Sequence, residues 1–201
     1  MHKKRQIFLV FVLLSILFSN YAHAQLGERE TPVQKLDTGS DFSASGSGTY
    51  SLSNAGSFTY NDENIEAERG TTITKDSEGN IEISNVDKIT ISEKNGNEKT
   101  VIRNAESVKL YINGNYEIGK VKNIEKGNTK IINGIGVKFK NGELTAERAD
   151  SFIKNSSIVT NVKTLKEAKE EFSVKAADSI ISDCIRLDNI KDSEFKISNK
   201  I

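Results

Sequence analysis

From about residue 58 onward, apolar and polar residues alternate at period two, as in Phe58/Tyr60, Ile89/Ile91, Val108/Leu110/Ile112 and Phe195/Ile197. Alternation of this kind marks strands with one buried face. Asn95-Gly96, Asn113-Gly114 and Asn133-Gly134 separate the apolar runs and read as tight turns. One stretch has a different rhythm. Thr164-Leu165-Lys166-Glu167 has the form of a capping box, and Leu165, Ala168 and Phe172 then follow at helical spacing with Lys166/Glu170 as an i,i+4 pair. The spacing predicts a short helix over 164–172.

The strand runs repeat. Ala67-Glu68-Arg69, Val86-Asp87-Lys88, Ala105-Glu106-Ser107 and Ile124-Glu125-Lys126 follow one another at steps of 19 residues. Asn85, Asn104 and Asn123 keep the same step, as do Ile83, Ile102 and Val121. Later, Ala149-Asp150-Ser151-Phe152 recurs as Ala177-Asp178-Ser179-Ile180 after 28 residues, a gap that a helix inserted at one corner would fill. A fixed period near 20 implies one supersecondary unit stacked on its copies. The expected fold is all-β: a parallel β-solenoid (β-helix) of about seven coils over residues 58–201, with coils about 4.8 Å apart. The lack of proline after Pro32 fits coils that must all donate ladder hydrogen bonds. An antiparallel meander, β-sandwich or β-jellyroll is the alternative, with the Asn-Gly pairs as hairpin turns. In the solenoid, the asparagine column would form an amide ladder. The acidic column of Glu68, Asp87, Glu106 and Glu125 would be offset by Arg69, Lys88 and Lys126, or else would offer oxygen ligands to a cation.

Two segments precede the repeats. Met1-His2-Lys3-Lys4-Arg5, the apolar run Ile7–Phe18 and Ala22-His23-Ala24 are the three parts of a secretory signal peptide, residues 1–24. The run is shorter than the roughly 20 residues of a membrane span. Residues 25–57 are rich in Ser and Gly, with the pairs Phe42/Ala44 and Tyr50/Leu52, and read as a flexible start passing into a first coil or cap.

Export changes the composition that matters. The chain is formally neutral, but without Lys3, Lys4 and Arg5 it keeps 25 basic against 28 acidic residues, a net of about −3. Both histidines and the single methionine lie in the leader, and there is no tryptophan. Residues 25–201 therefore lack the imidazole that Ser-His-Asp and Cys-His mechanisms, common zinc sites and haem ligation use. The single Cys184 can form no internal disulfide; beside Asp183 and between isoleucines it reads as a small strand or core residue. No basic run points to nucleic acid. Calcium-binding repeat and EF-hand motifs are missing, and no carboxylate pair stands out as glycosidase-like. Asn155-Ser156-Ser157 is a glycosylation sequon, relevant only where exported chains are glycosylated. No catalytic, cofactor-binding or metal residue is assigned, and no cofactor.

The unit apolar-x-Ala-acid-basic, present as Ile65-Glu66-Ala67-Glu68-Arg69 and Leu144-Thr145-Ala146-Glu147-Arg148, resembles the repeats of the OstA-like periplasmic lipopolysaccharide-transport family. That resemblance implies an open β-jellyroll whose apolar slot shelters acyl chains. The chain departs from it in the sharp period, the asparagine column and the Ser/Gly-rich start. Together these readings lead to an exported, non-enzymatic structural or interaction module at the cell surface, in the periplasm or outside the cell. Its partner is an unidentified protein, glycan or lipid, and uncapped coils would allow end-to-end self-association. A lipid conduit ranks second and a polysaccharide-active enzyme third.

Overall fold

The computed structural model describes residues 33–52, 55–68, 71–92, 98–168, 171–182, 185–191 and 194–198. The expected signal peptide (residues 1–24), Arg69, Asn95-Gly96 and Cys184 lie outside the described residues. The chain from Val33 onward forms one compact unit. Among the described residues fourteen strands build one sheet. They are β1 (Gln34–Leu36), β2 (Gly48–Leu52), β3 (Gly56–Tyr60), β4 (Glu63–Ala67), β5 (Thr72–Lys75), β6 (Ile81–Ser92), β7 (Lys99–Leu110), β8 (Tyr116–Lys126), β9 (Thr129–Lys140), β10 (Glu143–Lys154), β11 (Ser157–Glu167), β12 (Glu171–Ser182), β13 (Ile185–Ile190) and β14 (Phe195–Ser198).

From β5 to β13 the spatial order follows the chain, and each neighbour pairs antiparallel. Among the described strands only β1 and β2 pair in parallel, beside an isolated parallel bridge between Asp41 and Thr59. The expected parallel β-solenoid is thus overturned: the protein is all-β, but its layers reverse direction at every step. The reason lies in the connections. Gly127-Asn128, Asn141-Gly142 and Asn155-Ser156 join adjacent strands directly, with Gly127, Asn141, Gly142 and Asn155 at φ of 53°, 53°, 79° and 51°. Two-residue turns with positive φ make hairpins, whereas a parallel neighbour needs a crossover of a dozen residues or more.

The inward residues follow one spacing. In β6 they are Ile81, Ile83, Val86, Ile89 and Ile91; in β7, Thr100, Ile102, Ala105, Val108 and Leu110; in β10, Leu144, Ala146, Ala149, Phe152 and Lys154, all buried. The steps are 2, 3, 3, 2 in each strand. Each step of three inserts an extra outward residue and bends the strand. At many of these corners the residue just before the inward one adopts the left-handed conformation: Asn85 before Val86, Asn104 before Ala105, Asn133 before Gly134, Asn161 before Val162 and Asn189 before Ile190, with φ of 48–56°. Asparagine tolerates that region better than most residues. Because paired strands carry matching corners, the register stays continuous: Ser84 faces Ser107, Val86 faces Ala105 and Lys88 faces Arg103.

The bends bring ends of the long strands together along a seam. Lys154 pairs with Ser157, and Glu167 lies ten residues further along β11. A straight strand would separate those ends by about 33 Å. Instead the Lys154 ammonium forms an ion pair with the Glu167 carboxylate and donates to the Ala168 carbonyl at 2.7 Å. Thr100 and Tyr116 meet in the same way, hydroxyl to hydroxyl at 3.0 Å. The core lies inside this stack of bent layers. Ile65, Ile89, Ile102, Val108, Ile131, Val137, Val159 and Val174 are each 0% exposed. Phe152 of β10 touches Phe172 of β12 at a centroid distance of 5.0 Å, linking opposite arms of layers two strands apart.

β4 and β5 continue one another along β6, as Ala67 faces Ile89 and Thr72 faces Ser84. β2 and β3 form the preceding layer in the same way. Phe42, in a 3-10 turn over Phe42–Ala44, plugs this end of the core at 0% exposed, edge-on to Tyr50 and Phe58. The buried Lys75 ammonium fastens the turn, donating to the carbonyls of Phe42, Ser43 and Ser45 at 2.9, 2.7 and 2.8 Å.

The expected helix over 164–172 is a second correction. Thr164 to Glu167 belong to β11 and Phe172 to β12, with Glu167 facing Phe172. The 28-residue interval from Ala149 to Ala177 spans two layers of the meander, because both residues sit at the centre of their strands.

Candidate functional site

The repeated residues of the sequence are corner and core parts. Val86 and Ala105 face each other in the central inward column, but Ala67 faces Ile89 and Ile124 faces Ile102 in flanking columns. The 19-residue step therefore does not define one column. Among the asparagines, Asn85 and Asn104 are left-handed corners, whereas Asn123 faces Ile132 and donates to Glu125 at 3.1 Å. Asn133-Gly134 is no turn; it lies within β9. Asn113-Gly114 does turn the chain, closed by the Tyr111 amide on the Asn115 carbonyl at 2.9 Å.

The acids of the repeat also have local duties. Across the β9/β10 register, corner Asn133 stands opposite Asp150 and donates to it at 2.7 Å; corner Asn161 of β11 does the same to Asp178 of β12. By the same register Asn104 lies opposite Asp87, and Asn85 opposite Glu106. A carboxylate across from each corner can receive the outward amide, which explains why acid and asparagine recur together. Glu125 lies elsewhere, 3.1 Å from the Lys130 ammonium; the Asn123 amide first, then Lys130, hold its carboxyl below the usual range. Asp87, Glu106 and Glu125 thus form no ladder. Among the described residues no three or more Asp, Glu, His or Cys side chains are grouped to hold a metal.

What sequence reasoning missed is the seam where strand ends meet. One row along it is polar: Thr100, Lys126, Thr129, Lys154 and Ser157 succeed one another by direct pairing. The opposing row is mostly apolar, with Leu110, Tyr116, Phe139 and Leu144 in the same relation. Lys126 reaches across, 5.3 Å from the Phe139 ring centroid and 3.3 Å from Glu98. Phe139 in turn stacks on Tyr116 at 4.3 Å. Between these bridges lies a cavity of about 480 Å³, bounded by Glu98, Lys126, Phe139, Leu144, Lys154 and Glu167. That volume is in the range of small-molecule clefts. Its chemistry is amphipathic, with two cations and two anions around a ring and a leucine, and its charged groups are already paired. The only signal in the sequence was a lysine at an inward parity position, at Lys126 and Lys154.

A second hollow, about 590 Å³, lies on the outer face between the corners, edged by Glu106, Lys120, Lys122, Ile135 and Asp150. It is shallow and carries no convergent set of donors. No family model, no curated relative and no solved structure matches this chain.

Proposed function

We propose that the protein is an exported, non-enzymatic interaction module that presents its sheet edges and outer faces to a partner. One observation carries this reading: the interior is filled by the chain's own side chains, from Phe42 and Phe58 at one end to Phe152 and Phe172 near the other, each at most 1% exposed. A ligand would therefore meet faces, edges and the seam rather than a chamber. The seven strands from β6 to β12 each run 11 or 12 residues and give those faces a regular spacing. Export rests on the basic start, apolar run and Ala22-His23-Ala24 of the leader.

The seam favours a second reading, a periplasmic lipid carrier. Its cavity borders Phe139 and Leu144, and Lys126 could meet an anionic headgroup. Native mass spectrometry of the chain released by an exporting host, without detergent, separates the two. The bare polypeptide mass, alone or in multiples, is the expected result. A discrete added mass in the lipid range would replace the interaction module with the carrier.

A further inference from the structure

The two ends of the stack differ. At the β2/β3 end the core is plugged by Phe42 and fastened by Lys75. At the other end the last described layer is β13 with β14, both paired to β12. One layer inward, Ile180, Ala177, Val174 and Phe172 are buried. Their counterparts in the last layer, Leu187, Ile190, Phe195 and Ile197, pack on the core but remain only partly buried, and Ile185 is 62% exposed. Among the described residues no further strand covers them. An apolar layer with free backbone groups on its edge is a template for another strand.

From this we infer that the β13/β14 layer pairs with the same layer of a second copy, giving a twofold dimer with a continuous core. The inference deepens the interaction-module reading by naming the partner, and it rests on that reading. The occupant follows from the spacing. A covering layer must place inward residues in the same bent columns as β12, and steps of 2, 3, 3, 2 read the same in both directions. A second copy running antiparallel therefore meets the requirement, with Leu187 over Phe195 and Ile185 over Ile197. An isologous contact of this kind closes on itself. Residues 185–198 also carry no net formal charge to repel a copy, with Arg186, Lys191 and Lys196 against Asp188, Asp192 and Glu194; Arg186 pairs with Asp188 at 3.1 Å, and Lys196 lies 3.9 Å from Glu194. Because the opposite end is plugged, association should stop at two chains.

Sedimentation velocity on the secreted full chain over a hundredfold range of concentration tests this. The expected result is a monomer–dimer equilibrium that Ile185→Lys weakens at least tenfold, while its thermal unfolding midpoint matches the parent at concentrations low enough for both to be monomeric. Ile197→Lys serves as the second variant should the first fail to fold. A parent chain that stays monomeric throughout overturns the pairing and leaves the interaction module standing, since that reading falls on bound lipid instead. Open-ended growth beyond two chains overturns it as well. So does a dimer that tolerates both lysines, which would point to the outer stripe of Ile153, Ile158 and Ile181.

Discussion

Tyr60 and Lys75 show how single polar side chains complete an apolar interior. Tyr60 is 2% exposed, and its hydroxyl donates to the Gly79 carbonyl at 2.7 Å. Burial, with Asp76 and Glu63 adding negative potential, pushes its pKa up to about 12. A raised folded-state value means that the neutral phenol stabilises the fold fully below the ordinary value of 10.0 and loses that contribution as pH climbs toward about 12. Tyr60→Phe should therefore lose less stability than the parent between pH 10 and 12, read by urea denaturation at each pH; parallel curves would refute this assignment. Lys75 balances opposing effects. Burial pushes its pKa down and Asp41 opposes, while three carbonyls accept from the ammonium. None of this was legible in the sequence, where Lys75 is one of 28 basic residues. A lysine's partners are decided by what the fold places within reach of its amine.

At the scale of the strand, the corner is the governing device. Left-handed backbone costs an ordinary residue about 1–2 kcal/mol, less for asparagine and nothing steric for glycine. Most corners obey that rule, but Thr164 does not: it is β-branched and sits at φ 53° before Leu165. Thr164→Asn should stabilise the protein by about 1 kcal/mol. Asn104→Val should destabilise it by about 1–2 kcal/mol, since it puts a β-branched residue into a left-handed corner that asparagine tolerates at lower cost. Chemical denaturation of both variants checks the pair, and the same sign for both would count against the corner rule. The asparagines were visible in the sequence as a repeating column, and so were their acidic companions. Their role was not, because an amide ladder and a backbone corner both call for asparagine at a regular step. The inward parity was legible wherever strands alternate strictly, as in Val108/Leu110. It misled at 164–172, where steps of two and three over a hairpin turn imitate helical spacing.

For the whole molecule, the consequential feature is that bent strands fold back until their ends meet. The Lys154–Glu167 pair at this seam has side chains only 6% and 14% exposed. Breaking one member of a buried pair strands the other charge, at about 3–5 kcal/mol. Lys154→Met alone should therefore be strongly destabilising, whereas the double change Lys154→Met with Glu167→Leu should recover most of the loss. A double variant as unstable as the single one would mean that the pair's worth lies in positioning the seam rather than in satisfying charge.

The sequence by itself determined that this chain is built of strands, that its layers repeat, and that imidazole chemistry is missing from residues 25–201, because parity, spacing and composition are properties of the chain. Only the tertiary structure decided whether the layers run parallel or antiparallel. The physical reason is symmetry: inward steps of 2, 3, 3, 2 are unchanged by reversal, so either direction buries the same columns. The two-residue turns break that tie locally, as at Asn141-Gly142, and the seam closes only when strand ends ten residues apart are bent into contact.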